Sequence, residues 1–110
     1  MANKQERIAT IIRKNIAEII QMELKNPHLG FVSIPEVKVS NDYSYAKVYV
    51  SFIFEKDEKE GMEVLEHSKG FIRSSLAKKL DIRRCPDLIF VLDEGYKKEE
   101  RINELLKKDK

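Results

Sequence analysis

The sequence contains a single cysteine, Cys85, so the chain cannot form an internal disulfide bond. Small secreted domains depend on disulfide bonds, whereas proteins of reducing compartments usually lack them. No apolar run approaches the roughly 20 residues that a membrane-spanning helix needs, and the first residues lack the apolar core of a signal peptide. These absences predict a soluble protein of the cytoplasm that has no contact with membranes.

Residues that carry catalysis or hold metal ions are also scarce. The two histidines, His28 and His67, fall on different predicted elements, and the sequence contains no HExxH zinc motif, no CxxC pair and no P-loop. Cys85 precedes a proline, and we interpret it as a small packing residue and not as a nucleophile. The sequence therefore predicts a protein that is not an enzyme and has no metal or cofactor site.

The chain does contain enough apolar sequence for one folded domain. Its 110 residues are 42% hydrophobic and 36% charged, which suits a single modest core under a highly soluble surface. Apolar residues recur near the N-terminus at steps of three and four, which predicts an amphipathic helix; they are Ile8, Ile11, Ile12, Ile16, Ile19, Ile20 and Leu24. Pro27 ends this helix, because the residue before a proline is forced out of helical conformation.

Two strands follow the first helix, over residues 31–40 and 45–54. In the second strand the apolar residues at every other position, Ala46, Val48, Val50 and Phe52, predict one buried face. The residues between the strands, 41–44, are of types that favour turns, so we predict that the two strands form a hairpin. A third, buried strand is predicted over residues 88–92.

A second helical pattern lies between the hairpin and the third strand. Its apolar residues are Met62, Leu65, Ile72, Leu76 and Leu80, and Gly70 lies among them. The predicted fold class is α+β with the order αββααβ, in which an interrupted second helix packs with the first helix on one face of a three-stranded sheet. The predicted core contains Ile12, Ile16, Ile19, Val48, Val50, Leu65, Ile72 and Phe90.

Charge is segregated along the second helical pattern. Residues 55–66 contain six acidic and two basic side chains, whereas residues 69–84 contain six basic side chains and one acidic side chain. A dense basic stretch is the electrostatic signature of a protein that binds a phosphate backbone. An ordinary solvated helix face has the same composition, so charge alone does not decide between these interpretations.

Gly70 has two interpretations as well. If the helix breaks there, a new helix begins near Phe71, and its backbone N–H groups can receive a phosphate that glycine allows to approach closely. Alternatively, the helix is continuous and glycine is needed where it packs against the first helix. The apolar spacing leaves both open.

Four short motifs together resemble one known family. The segment 23–30 reads ELKNPHLG, where ribosome-binding factor A of bacteria commonly has ELKDPRLG. The second strand is similar from Asp42 to Ser51, residues 70–73 match the family's GFIR signature, and Arg83, Pro86, Leu88, Phe90 and Asp93 keep its spacing around the third strand. The resemblance covers roughly residues 5–107.

The resemblance implies a type II KH-like domain in which a helix–kink–helix replaces the GxxG loop of ordinary KH domains. The family's kink is commonly Ala-x-Gly and here reads Ser68-Lys69-Gly70, while Asn26 and His28 stand where Asp and Arg are common. We expect the KH-like domain over residues 1–96 and a charged tail or short helix over residues 97–110.

The resemblance also implies a function. Family members bind free or immature 30S subunits through 16S rRNA, support late maturation, rRNA processing and growth in the cold, and work with an assembly GTPase. The predicted RNA-binding residues are Ser68, Lys69, Gly70, Arg73, Lys78, Lys79, Arg83 and Arg84, and a second RNA-facing set is Lys4, Arg7, Arg13 and Lys14. A monomer is expected. The alternatives are a protein–protein interaction module that uses the basic residues 69–84, and a KH-like RNA binder not tied to the ribosome.

Overall fold

The computed structural model describes residues 3–24, 26–80 and 85–93. The elements in chain order are α1 (Lys4–Glu18), a π-helical segment (Ile19–Leu24), β1 (Val32–Val39), β2 (Tyr45–Phe52), a 3-10 turn (Glu55–Asp57), α2 (Glu58–His67), α3 (Lys69–Leu80) and β3 (Asp87–Leu92). The predicted order αββααβ is confirmed. The predicted tail over residues 97–110 lies outside the described residues, and so does the boundary at residue 96.

The first helix begins at a side-chain cap and ends earlier than its apolar spacing predicted. The Asn3 Oδ1 atom accepts a hydrogen bond of 2.8 Å from the Glu6 N–H, which satisfies one of the unpaired amides at the helix start. After Glu18 the chain widens into π-helical turns, in which each hydrogen bond reaches one residue further. The prediction of one regular helix up to Pro27 was therefore wrong in its last part.

The three strands form one sheet in the order β1-β2-β3. β1 and β2 are antiparallel with Val37 opposite Val48, and β2 and β3 are parallel with Val48 opposite Phe90. In the hairpin turn, the Asp42 carboxylate accepts hydrogen bonds from the side chain and backbone of Ser44 and from the Ser40 hydroxyl, which lower its pKa to about 2. The turn predicted from these residue types is confirmed.

The core lies between one face of this sheet and the helices. All eight predicted core residues are buried, and Ile16 and Ile72 are completely inaccessible to solvent. The alternation predicted for β2 is also confirmed, since its four inward residues are at most 2% exposed. Ile11 was assigned to the buried stripe of α1, and that assignment was wrong. Its side chain is 49% exposed, because Ile11 lies about 100° around the helix from the buried Ile12.

The opposite face of the sheet is open to solvent among the described residues, as predicted for a domain with its helices on one side. No helix in the described part of the chain combines the length and apolar content needed to cross a bilayer. The two long surfaces available to a partner are therefore the outer side of the helices and the open face of the sheet.

Candidate nucleic-acid interface

The joint between α2 and α3 is a single residue, Ser68. Its backbone has φ −94° and ψ 3°, outside the helical region. The Ser68 N–H still donates to the Val64 carbonyl at 2.9 Å, and the Ser68 carbonyl accepts from the Ile72 N–H at 2.9 Å. The joint is thus a kink with helical hydrogen bonds on both sides, and the predicted interruption is confirmed.

The interruption lies two residues earlier than one of the sequence interpretations placed it. That interpretation had the break at Gly70 and a new helix near Phe71, whereas α3 begins at Lys69 and Gly70 lies in its first turn. Apart from its chain neighbours and the backbone of its own helix, no described heavy atom lies within 4 Å of a Cβ placed on Gly70. Packing against the first helix is therefore not the reason for this glycine, and the residue is exposed.

The third helix has one side for the core and one for solvent. Ile72 and Leu76 point inward and are completely buried. Since residues of a helix follow one another at about 100°, four other residues lie on the opposite side; they are Gly70, Phe71, Ser74 and Lys78, and all four are exposed. We call these four residues the outer surface of α3.

The predicted basic residues of α3 are not equivalent. The Arg73 guanidinium donates to the Cys85 carbonyl at 2.8 Å and to the Pro86 carbonyl at 3.3 Å, and its Nε lies 3.4 Å from an Asp87 carboxylate oxygen. Arg73 therefore links α3 to the start of β3. Its predicted role in RNA binding competes with this structural role.

Lys79 and Lys69 are engaged at the two sides of the helix. The Lys79 Nζ lies 3.6 Å from a Glu23 carboxylate oxygen, and the other Glu23 oxygen accepts a hydrogen bond from Ser75 at 2.9 Å. The Lys69 Nζ lies 2.9 Å from a Glu66 oxygen and 5.9 Å from the centre of the Phe90 ring. Both side chains remain partly exposed, so their ion pairs are weak and open to exchange.

On the outer surface of α3, Lys78 is the basic residue whose side chain is available to a ligand. It is exposed, and within the described part of the chain its Nζ has no carboxylate within 4.0 Å. Two more residues of the predicted site, Arg83 and Arg84, lie outside the described residues. Of the predicted site, the structure thus places Gly70 and Lys78 on the outer surface of α3, with the partly exposed Ser68 at the kink before it.

The second predicted set lies on the exposed surface of α1. Lys4, Arg7, Arg13 and Lys14 are all exposed. The Lys4 Nζ lies 6.0 Å from the centre of the Tyr43 ring, near the hairpin turn, whereas Arg13 borders a groove towards Phe31 at the other end of β1. The four side chains are therefore spread along the exposed length of α1, and their role in RNA binding stays a prediction.

Phe71 is a residue whose role the sequence interpretation missed. It was treated as part of a signature, but in the structure 49% of its surface is exposed between Gly70 and the buried Ile72. The signal was present in the sequence, since Phe71 falls outside the stripe that Ile72, Leu76 and Leu80 form at helical spacing. An exposed aromatic ring beside a glycine and a lysine offers stacking, close approach and charge in one place.

Cys85 is buried beside the Arg73 contact and lies well away from this surface. Burial raises the pKa of its thiol, with a smaller opposing effect from Arg73, so the thiol stays protonated at neutral pH. The interpretation of Cys85 as a packing residue is confirmed by its 7% exposure.

The chain is similar to known proteins of one family along almost its whole length. The family model for ribosome-binding factor A matches residues 4–106. Ribosome-binding factor A of Macrococcus caseolyticus is 46% identical over 110 residues, which are 96% of this chain and 96% of that protein. The protein of the same name from Dictyoglomus thermophilum is 44% identical over 109 residues, with 97% of this chain and 91% of that protein covered.

Solved structures share the fold. The crystal structure of ribosome-binding factor A from Thermus thermophilus is similar with a TM-score of 0.74 and 27% identity, over 82% of this chain and 97% of that chain. A homology model of the Thermus thermophilus protein, fitted into a cryo-electron microscopy map of its complex with the 30S subunit, is similar with a TM-score of 0.71 and 27% identity, over 82% of this chain and 96% of that chain. The KH-like architecture predicted from the sequence is confirmed, and this chain belongs to the ribosome-binding factor A family.

Proposed function

We propose that this protein binds free or immature 30S subunits through 16S rRNA and supports their late maturation and rRNA processing. Family membership and the 30S complex of the Thermus thermophilus relative support the choice of target. The observation that carries the residue-level proposal is the outer surface of α3. The side chains of Phe71 and Lys78 are exposed there and make no ion pair, hydrogen bond or ring contact with another described residue.

The proposed contacts with RNA are of two kinds, those that depend on the shape of the surface and those that depend on its charge. Gly70 has open space where a side chain would be, so a ribose or phosphate can lie against the backbone just beyond the Ser68 kink. Phe71 offers its ring to a base or a ribose, and Lys78 offers its ammonium group to a phosphate. Lys69 and Lys79 add positive charge at the two sides of the helix. A folded rRNA surface provides all of these partners within a short distance.

The protein would act by holding a junction of rRNA until later helices settle, without turnover of a substrate. This mode of action needs only a surface that fits folded RNA and is released when the RNA changes shape. We expect an assembly GTPase to be the partner that triggers this change. We place this activity in the cytoplasm, where subunits assemble.

Two rival functions give different binding profiles. A KH-like RNA binder not tied to the ribosome would bind 30S and 50S subunits alike. A protein–protein module would bind an acidic protein partner through the basic residues 69–84 and would not bind RNA. The 30S binder proposed above predicts a clear preference for 30S subunits over 50S subunits and 70S ribosomes.

The test is sedimentation of the purified protein with purified 30S, 50S and 70S particles over a range of salt concentrations. Lys78→Glu should weaken 30S binding by roughly tenfold or more, and Lys78→Ala should reduce the salt slope by about one unit. Lys59→Glu is the matched control, because Lys59 is an exposed lysine on the neighbouring α2. If Lys78→Glu and Lys59→Glu bind 30S subunits equally well, the outer surface of α3 is not the interface.

A further inference from the structure

The open face of the sheet combines aromatic and basic side chains. Along β2, the outward residues Tyr45, Lys47 and Tyr49 follow one another at every second position, about 7 Å apart, and Ser51 continues the series. Lys38 of β1 lies opposite Lys47, and Ile89 of β3 flanks Lys47 on the other side. This face is far from the outer surface of α3, because the sheet and the core lie between them.

Lys38 and Lys47 are direct cross-strand partners with the same charge. Like charges directly opposite each other on a sheet are unfavourable for the fold. In the described part of the chain, neither ammonium group has a carboxylate within 4.0 Å. Asp87, which lies opposite Tyr45, has its carboxylate next to the Arg73 guanidinium on the edge of the sheet. The two lysines therefore form an uncompensated positive site, which an anion would neutralise.

The tyrosines on either side of Lys47 differ in accessibility. The Lys38 Nζ lies 5.7 Å from the centre of the Tyr49 ring, so Tyr49 holds that lysine over the sheet. Tyr45 is 51% exposed and has no ring partner among the described residues. Tyr45, Ile89 and the two lysines line a shallow depression of about 430 Å³. Glu36, opposite Tyr49, limits the positive site at that end.

We propose that this depression binds single-stranded RNA, with a base stacked on Tyr45 and the adjoining phosphates held by Lys38 and Lys47. An aromatic ring next to lysines on an open sheet is the chemistry that binds an unpaired strand, because stacking accepts any base and the lysines follow the backbone. A duplex cannot use Tyr45 in this way, since its bases are stacked on each other. The site is separate from the outer surface of α3 and does not depend on it, so the protein can hold a folded rRNA element on one face and an unpaired strand on the other.

The experiment titrates the full chain with an eight-nucleotide oligouridylate and with an RNA duplex of the same length. Fluorescence anisotropy of a labelled oligouridylate gives the affinity of every variant, and because the chain has four tyrosines and no tryptophan, quenching of the original chain reports contact of the RNA with tyrosine. Tyr45→Ala should lower affinity for the single strand roughly tenfold, and Lys38→Ala with Lys47→Ala should lower it and flatten its salt dependence. Tyr45→Phe should bind like the original chain, and melting curves should show all these exposed-site variants folded.

Three outcomes would overturn the proposal. One is that the duplex binds as tightly as the single strand or more tightly. A second is that Tyr45→Ala binds oligouridylate like the original chain. A third is that the lysine variants lose oligouridylate binding while Tyr45→Ala keeps it, which would indicate a surface for any polyanion. The same titration on Lys78→Glu separates this site from the proposed function. That variant should lose 30S binding and keep its affinity for the oligouridylate.

Discussion

Gly61 and Gly70 lie on the two consecutive helices α2 and α3, and their surroundings are opposite. A Cβ on Gly61 would lie 2.1 Å from a ring carbon of Phe52 and 3.0 Å from the Leu29 carbonyl oxygen. A Cβ on Gly70 would meet nothing within 4 Å among the described residues. Gly61 belongs to the inner region, which is the packed core between the helices and the sheet. Gly70 belongs to the outer region, which is the side of the helices that faces solvent. Glycine therefore allows tight packing of the fold in α2 and leaves the surface clear in α3.

The largest expected effect concerns the inner region. Ile16 is completely buried in the core, so Ile16→Asp places an unpaired carboxylate where no water reaches. The cost is several kcal/mol against a total stability of about 5–15 kcal/mol. Circular dichroism should show an unfolded chain at neutral pH. A cooperative melt near that of the original protein would contradict the core described above.

A large but smaller loss is expected for Gly61→Ala. The added methyl group overlaps the Phe52 ring, which is 2% exposed and cannot move away without opening the core. Overpacking of this kind costs about 1–3 kcal/mol. Chemical denaturation should therefore show a lower midpoint with an unchanged slope. A midpoint equal to that of the original chain would mean that α2 can lift from the sheet at no cost.

Arg73→Ala tests the border between the two regions. The variant loses the hydrogen bonds to the Cys85 and Pro86 carbonyls and the ion pair with Asp87, which should lower the free energy of unfolding by about 1–2 kcal/mol. Lys78→Ala on the same helix is the control and should stay within about 0.5 kcal/mol. If Arg73→Ala is as stable as Lys78→Ala but loses 30S affinity, Arg73 acts as an RNA ligand and not as a link to β3.

Cys85→Ser should have a smaller effect. The serine hydroxyl would be placed in a site that is 7% exposed, which costs about 1 kcal/mol, while 30S binding should stay the same. Because burial raises the pKa of the thiol, the folded protein should also react slowly with an alkylating reagent at neutral pH. Rapid alkylation of the native chain, or lost 30S binding by a folded Cys85→Ser variant, would show that the thiol has a functional role.

The inner region was largely predictable from the sequence, because burial imposes a period on apolar residues. The alternation of Ala46, Val48, Val50 and Phe52 fixed the inward face of β2, and the steps from Ile12 to Ile16 and Ile19 fixed that of α1. The π-helical segment was not predictable, since its six residues make little more than one turn, which is too short for a change of apolar spacing to show in the sequence.

The outer region was predictable only in part. The sequence shows that lysines and arginines are dense after residue 69, but it does not show which of them the fold uses. Glu23 and Asp87, which engage Lys79 and Arg73, come from distant elements, so their effect appears only in three dimensions. Residue propensity alone did not locate the break at Ser68, because Gly70 is the stronger local signal for a helix interruption, whereas the family resemblance put the kink at Ser68-Lys69-Gly70.

The central claim is that the outer region serves binding and not stability, and Gly70→Ala tests it most directly in one variant. The structure predicts an unfolding free energy that is unchanged or raised by up to about 1 kcal/mol, because alanine favours helix and its methyl group meets no neighbour. The same variant should bind 30S subunits several-fold more weakly at every salt concentration, since the methyl group fills the space that the RNA backbone would occupy. Lower stability together with normal 30S binding would contradict the account.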